Sequence, residues 1–365
     1  MRLAVLVLAA ACGQGTATPP TPKARDAASE PNAGKLYQGL CAPCHGADAK
    51  GYKADHAPSL VNVTFLESAS DEFLRRAIVY GRPGTSMPAY GKEAGGPLDP
   101  PSVGRIVGWL RAQGPKAQPL PPARLGDAAR GQPIYDKSCK VCHGDHDTRG
   151  EAIWIANARF LDAVTDGFLR YAIVKGRPGT RMEAWSPKLG DQDIDDVIAY
   201  TRTLGRGAPP AQLPPPKGDE PLVINPDGKD PKFDLKPDPA TKDARYVAAA
   251  AVKQALDEKR RIVIVDARPP SDWAHVHIPG AVSIAYYDMK RLADVPKDVW
   301  VVAYCACPHH LSGIVVDELR KQGHTRAAVL DEGILEWHRR GYPVIAAPGV
   351  EPPPKEPVQA PGVIP

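Results

Sequence analysis

Cys41-Ala42-Pro43-Cys44-His45 sets two thiols and an imidazole at a C-x-x-C-H spacing, the spacing of a c-type haem attachment site. The reason is mechanical: two sulfurs reach the two vinyl groups of one porphyrin, and the adjacent histidine lies under the iron. Cys139-Lys140-Val141-Cys142-His143 repeats the arrangement in a chain with seven cysteines. The alternative is a zinc site built from both pairs. That reading leaves the histidine after each pair unexplained.

Working outward, the chain repeats itself. Asp71-Glu72-Phe73-Leu74-Arg75-Arg76-Ala77-Ile78-Val79-Tyr80-Gly81-Arg82-Pro83-Gly84-Thr85-Ser86-Met87 is echoed from Asp166 to Met182. The offset is 95 residues here and 98 at the haem motifs, so loop lengths differ while the order is kept. This is duplication of a unit, not a solenoid. Each copy predicts three helices: Ala33 to Cys41, Asp71 to Tyr80 and one through Ile106, Val107, Trp109 and Leu110. Their counterparts are Asp127 to Cys139, Asp166 to Lys175 and one through Ile194, Val197, Ile198 and Tyr200. Apolar residues fall at helical spacing in each. Tyr37 and Tyr135 precede the first haem cysteine by four residues in both copies.

The sixth iron ligand follows from scarcity. The four methionines are Met1, Met87, Met182 and Met289, and two of them close the same Gly-Arg-Pro-Gly-Thr-x-Met loop. Glycine and proline make that segment stiff and non-helical, able to lay a thioether over a porphyrin face. Core filling is the bland reading of a methionine; duplication after the haem motif favours axial ligation by Met87 and Met182, opposite His45 and His143. His56 and His146 are rival ligands without a matching position in the other copy. A His/Met pair raises the iron potential and suits one-electron transfer. Residues 31–115 and 124–206 together resemble the small all-helical cytochromes c, whose first and last helices cross. The resemblance implies two covalently bound haem c groups, on Cys41 and Cys44 and on Cys139 and Cys142.

The start of the chain has the form of an export signal: Arg2, an apolar run from Leu3 to Ala11, then Cys12. Nine apolar residues are too few to span a bilayer. Leu8-Ala9-Ala10-Ala11-Cys12 resembles a bacterial lipoprotein cleavage box, which implies lipidation of Cys12; ordinary cleavage further on is the alternative. Residues 13–30 would then be a tether and the protein a periplasmic one, anchored by lipid. Proline, at 41 of 365 residues, crowds into the segments 207–243 and 348–365, read as an extended spacer and a tail. The formal charge of +4 comes with no basic cluster, so nucleic acid is not an expected partner.

Beyond the spacer the pattern alternates between helix and strand. Val247 to Leu256 reads as a helix, Arg261 to Asp266 and Val299 to Cys305 as strands, Gly313 to Gln322 as a helix and Ala327 to Leu330 as a strand. This predicts an α/β domain with a parallel sheet, its site beyond the strand ends at Asp266 and Cys305. Asp266-Ala267-Arg268, Val276-His277-Ile278-Pro279-Gly280-Ala281, and Leu330-Asp331-Glu332-Gly333-Ile334-Leu335-Glu336-Trp337 resemble the rhodanese signatures over 244–347. The resemblance implies a persulfide-forming thiol at Cys305, fed by thiosulfate or another sulfane-sulfur donor. The active loop departs from the family's pattern. Cys305-Ala306-Cys307-Pro308-His309-His310-Leu311-Ser312 is one residue longer, lacks the arginine and holds a second thiol, Cys307. His309 and His310 are the candidate substitutes for the missing positive charge.

The whole therefore reads as two all-α haem domains followed by an α/β rhodanese-like domain. Its expected partner is a redox protein or a membrane electron-transport complex. Two functions stay open: sulfur chemistry at Cys305 coupled to haem electron transfer, or an inert rhodanese fold that serves for docking.

Overall fold

The computed structural model describes residues 32–51, 57–121, 124–205, 212–306 and 309–354. Cys12 and its tether, His56, Cys307 and the end of the C-terminal tail lie outside the described residues.

The first unit runs α1 (Ala33–Leu40), α2 (Ala42–His45), α3 (Val63–Ser68), α4 (Asp71–Tyr80) and α5 (Pro100–Arg111). The second repeats this as α6 (Ala128–Ser138), α7 (Lys140–His143), α8 (Ala158–Ala163), α9 (Asp166–Lys175) and α10 (Asp191–Leu204). The caps repeat too. Asn62 and Ser70 accept from the backbone N–H of Phe65 and Phe73, as Asn157 and Thr165 do from Phe160 and Phe168. Such side-chain caps satisfy donors that a helix start cannot satisfy internally. Within each unit the first helix packs against the last, α1 on α5 and α6 on α10.

The two units face each other across a local pseudo-two-fold. Phe73 and Phe168 stack at 5.1 Å, and Phe65 and Phe160 meet the same pair edge-on. Asn62 donates to the Pro178 carbonyl at 2.8 Å, and Asn157 donates to the Pro83 carbonyl at 2.8 Å. Four aromatic side chains in one apolar centre are a large share of what such an interface gains.

The C-terminal part comprises β1 (Lys236–Pro237), β2 (Ala244–Val247), α11 (Ala249–Asp257), β3 (Ile262–Asp266), α12 (Pro270–Trp273), β4 (Val276–His277), β5 (Val282–Ser283), β6 (Trp300–Tyr304), α13 (His310–Lys321), β7 (Ala327–Leu330), α14 (Gly333–Arg339) and β8 (Ile345–Ala346). Its six-stranded sheet has the order β1-β2-β7-β6-β3-β5, parallel except for β1 against β2. Every residue of β3 and β7 is buried, as a sheet covered on both faces demands. Val247 closes β2, paired with Leu330; it does not begin the helix, which starts at Ala249. The part of the Pro-rich segment that is described is extended and lies along this domain, through Leu213 N–H to the Ala274 carbonyl and the Ile224 bridge to Ile262.

The first unit is docked on the C-terminal domain. Ser271 Oγ donates to the Ala89 carbonyl at 2.6 Å, and Leu40 packs against the same apolar core as Cys305, Tyr286 and Leu311. Helix α2 approaches α13 with Cα atoms within 8 Å. Among the described residues no helix is long and apolar enough to cross a membrane.

Candidate functional site

Each C-x-x-C-H stretch straddles a helix break. Cys41 ends α1 and opens α2, which returns Cys44 and His45 to the same side one turn later; Cys139 does the same between α6 and α7. The histidine rings are fixed by backbone. His45 Nδ1 lies 3.0 Å from the Pro58 carbonyl and His143 Nδ1 lies 2.8 Å from the Ile153 carbonyl. A carbonyl only accepts, so the proton sits on Nδ1 and the lone pair on Nε2. That is the tautomer an axial iron ligand needs, with its ring orientation set by a backbone partner. The donor set of two thiols and an Nε2 imidazole fits covalent haem in both units.

The methionine loops are superposable in their bonding. Arg82 N–H donates to the Met87 carbonyl and Arg177 N–H to the Met182 carbonyl, at 2.8 and 2.7 Å. Thr85 and Thr180 each brace their loop, Oγ1 donating to the Arg82 or Arg177 carbonyl and accepting from the methionine N–H. The loops leave their helices through Gly81 (φ +59°) and Gly176 (φ +63°), where a Cβ would lie 2.6 Å from the Met87 or Met182 carbonyl oxygen. Met87 and Met182 are both half-buried. His146 stays in the turn after the second haem motif and has no equivalent in the first unit.

Tyr37 and Tyr135 have a role that sequence reading left unassigned. Both are fully buried, and their hydroxyls donate to the Gly46 and Gly144 carbonyls at 2.8 and 2.7 Å. They clamp the end of each haem-motif helix to the helix before it. The signal was there: a tyrosine at the same place in both copies.

Cys305 follows β6 and is 1% exposed, its Sγ 3.3 Å from Ser312 Oγ on α13. The Cys305 carbonyl accepts from Ile334 N–H at 3.0 Å. Gly333 (φ +68°) lies so close that a Cβ there would be 2.7 Å from the Cys305 oxygen. His309 is paired with a carboxylate and packed on an aromatic ring. Its Nε2 lies 2.9 Å from Asp331 Oδ1 and its ring stacks on Tyr246 at 3.8 Å. Asp266 and Arg268, from the first rhodanese-type signature, form a buried two-point ion pair at 2.9 and 2.7 Å, and Arg268 also donates to the Val276 carbonyl. That ties the end of β3 to β4, a structural task.

The two sites adjoin at Leu40. Tyr90 and Tyr286, each about 4% exposed, both donate to its carbonyl at 2.8 Å. Cys41 is the next residue along the chain.

Comparison with known proteins agrees with this layout. The profile of the cbb3-type cytochrome c oxidase subunit III family matches residues 28–110 and 126–200, and that of the rhodanese-like domain matches 248–340. A relative from Azospirillum sp. (strain B510), named Cbb3-type cytochrome c oxidase subunit CcoP, is 29% identical over 185 residues, 46% of this chain and 59% of that protein. The chain thus spans less than two thirds of this relative's length. A protein of Allochromatium vinosum named Sulfurtransferase is 30% identical over 112 residues, 28% of this chain and 96% of that protein. A chain of the Kuenenia stuttgartiensis reducing HAO-like protein complex is similar at 18% identity with a TM-score of 0.34, covering 48% of this chain and 97% of that one. Residues 28–110 and 126–200 are thus two cytochrome c-type units of the cbb3-type, CcoP-like kind, followed by a rhodanese-like domain.

Proposed function

We propose that the chain holds two haem c groups and couples sulfane-sulfur chemistry at Cys305 to electron transfer. Cys41 and Cys44 anchor the first haem, with His45 and Met87 as axial ligands; Cys139, Cys142, His143 and Met182 do the same for the second. Bound haem c supplies reversible one-electron storage. In the sulfur step the Cys305 thiolate attacks the outer sulfur of thiosulfate. The S–S bond of thiosulfate breaks, Cys305–S–S⁻ forms, and sulfite leaves with the bonding pair. This transfer moves no electrons; oxidation of the persulfide with water as oxygen donor, Cys305–S–S⁻ and H2O giving Cys305–S–SOH, one proton and two electrons, would supply the electrons that haem c groups take up one at a time.

The observation that carries the coupling is the docking of the two sites. Helix α2 of the first haem motif lies against α13, whose start carries the Cys305 loop, and Leu40 packs on the core that holds Cys305. The decisive experiment is anaerobic stopped-flow mixing of the oxidised full chain with thiosulfate and with a persulfide donor. Appearance of the reduced-haem spectrum that is lost in Cys305→Ser supports the coupling; reduction at the same rate in Cys305→Ser overturns it.

A second reading has its own support. The Cys305 thiol is buried against Ser312, and His309 is committed to Asp331. On this reading the domain is inert and serves to dock a redox protein or a membrane electron-transport complex. Retention of that complex by a Cys305→Ser/Cys307→Ser variant, with no cyanide-dependent thiocyanate release by the wild type, would select it. Export with a lipid on Cys12 completes the proposal, and is tested by palmitate labelling that Cys12→Ala abolishes.

A further inference from the structure

The two haem units are copies in sequence and in bonding, yet not in what covers them. Pro83, Gly84, Thr85 and Ala89 in and after the first methionine loop have Pro178, Gly179, Thr180 and Ala184 as counterparts, the same residue type at each place. The first three are half-buried and Ala89 is buried, whereas all four counterparts are exposed. Residue type cannot cause that difference, so the surroundings do. Pro83, Gly84 and Thr85 share a cleft with Asp272, His275 and His338 of the rhodanese-like domain. The Ala89 carbonyl accepts from Ser271 Oγ, and the Ala94 carbonyl accepts from Gln212 Nε2 of the spacer at 3.0 Å.

The haem motifs differ in the same sense. His45 is 7% exposed, and His143 is half-buried. Pro43, between the first pair of cysteines, is half-buried; its counterpart Val141 is 76% exposed. Ile153, whose carbonyl holds His143, is 43% exposed. The charges around this face pair among themselves, Lys140 with Asp145, Arg181 with Glu151 and Lys188 with Glu183. Exposed apolar residues that gather in one place mark an interaction site, and a polar rim is what a transient protein interface carries. On the first unit the corresponding face already bears the rhodanese-like domain.

Resting on the two-haem reading, we propose that the rhodanese-like domain closes the first unit to external redox proteins, so that the chain exchanges electrons with a one-electron carrier protein at the second unit, over Val141, Ile153 and Ala184. The balanced rim fits a carrier whose own metal lies behind an apolar, uncharged edge. Each exchange moves one electron between the second haem and that metal, with no bond made or broken. The first haem then trades electrons within the chain only.

The test mixes the reduced, haem-loaded full chain in stopped flow with oxidised azurin, a small blue-copper carrier, and separately with hexacyanoferrate(III), an oxidant of small-molecule size. Pyridine haemochrome counts the haems. Cys41→Ala/Cys44→Ala, left with the second haem, is expected to keep the wild-type rate with azurin. Cys139→Ala/Cys142→Ala, left with the first, is expected to lose the fast reaction with azurin while hexacyanoferrate still oxidises it. Equal azurin rates in these two variants overturn the proposal. Should a unit without haem fail to fold, Val141→Gln in the fully loaded protein serves, with Val63→Gln, exposed on α3 of the first unit, as its control. Val141→Gln is expected to slow azurin and leave hexacyanoferrate and the haem count unchanged; azurin rates equal to those of Val63→Gln overturn the proposal. Fewer than two haems in the wild type overturns it together with the haem reading.

Discussion

The hydroxyls of Tyr90 and Tyr286 lie 3.1 Å apart, 196 residues distant in the chain, and both donate to the carbonyl of Leu40. One residue belongs to the first haem unit and the other to the rhodanese-like domain, so this contact joins the two chemistries. The second unit has Trp185 where the first has Tyr90, each with its N–H on the equivalent carbonyl of the preceding helix, Ile173 or Ile78. The second copy thus has no hydroxyl at this position.

Tyr286→Phe should cost about 1 kcal/mol, the ordinary net value of one hydrogen bond, since Tyr90 still satisfies Leu40. Tyr286→Ala opens a cavity in the same junction and should cost about 3–5 kcal/mol. Urea unfolding followed by haem absorbance and by tryptophan fluorescence checks both. The two probes should separate in the alanine variant more than in the wild type.

Met87→Ala and Met182→Ala should each remove the long-wavelength iron–sulfur band of one haem and leave the haem count unchanged. Optical spectra of the oxidised protein decide it. Because the two loops share their hydrogen bonds residue for residue, the effects should be alike in size. A variant that keeps the full band rejects its methionine as a ligand.

Gly333→Ala forces a side chain onto a left-handed residue and against the Cys305 carbonyl. The conformational part alone is about 1–2 kcal/mol. Thermal unfolding should show that loss, and any thiocyanate-forming rate that depends on Cys305 should fall with it. An unchanged melting temperature would mean that the loop relaxes freely.

How much of this was legible in the sequence differs by residue. The haem motifs and methionine loops could be read because duplication writes them twice in local order. The partners that orient His45 and His143 are backbone carbonyls of Pro58 and Ile153, which no residue type announces. Val247 was drawn into a helix by the alanines after it, since the neighbour that makes it a strand is Leu330, far along the chain. His309 was legible as a candidate cation of the thiol loop, but its partners Asp331 and Tyr246, brought in by β7 and β2, were not. The Tyr90–Tyr286 contact is of the same kind: each residue is plain, and only their meeting carries meaning.

Asp196 predicts an acid-sensitive second unit. Arg130, chiefly, and the Asp127 N–H and Gln192 amide hold its carboxylate charged and lower its pKa to about 2. A depressed folded-state value means the stabilisation is complete above the unfolded value, about pH 4, and is lost as pH falls toward 2. Asp196→Asn should therefore cost about 1.5–3 kcal/mol at pH 7 and remove that part of the acid limb. Melting of haem-region helicity from pH 7 down to pH 2 measures both effects.

The phenylalanine-centred pairing of the two haem units has a kinetic and thermodynamic consequence. Two separate copies joined through such a face would part on dilution. Here one covalent chain carries both, through a connection of residues 112–127, so each half meets the other at a fixed effective concentration. The pairing is unimolecular, and the ratio of one half to the other is always one.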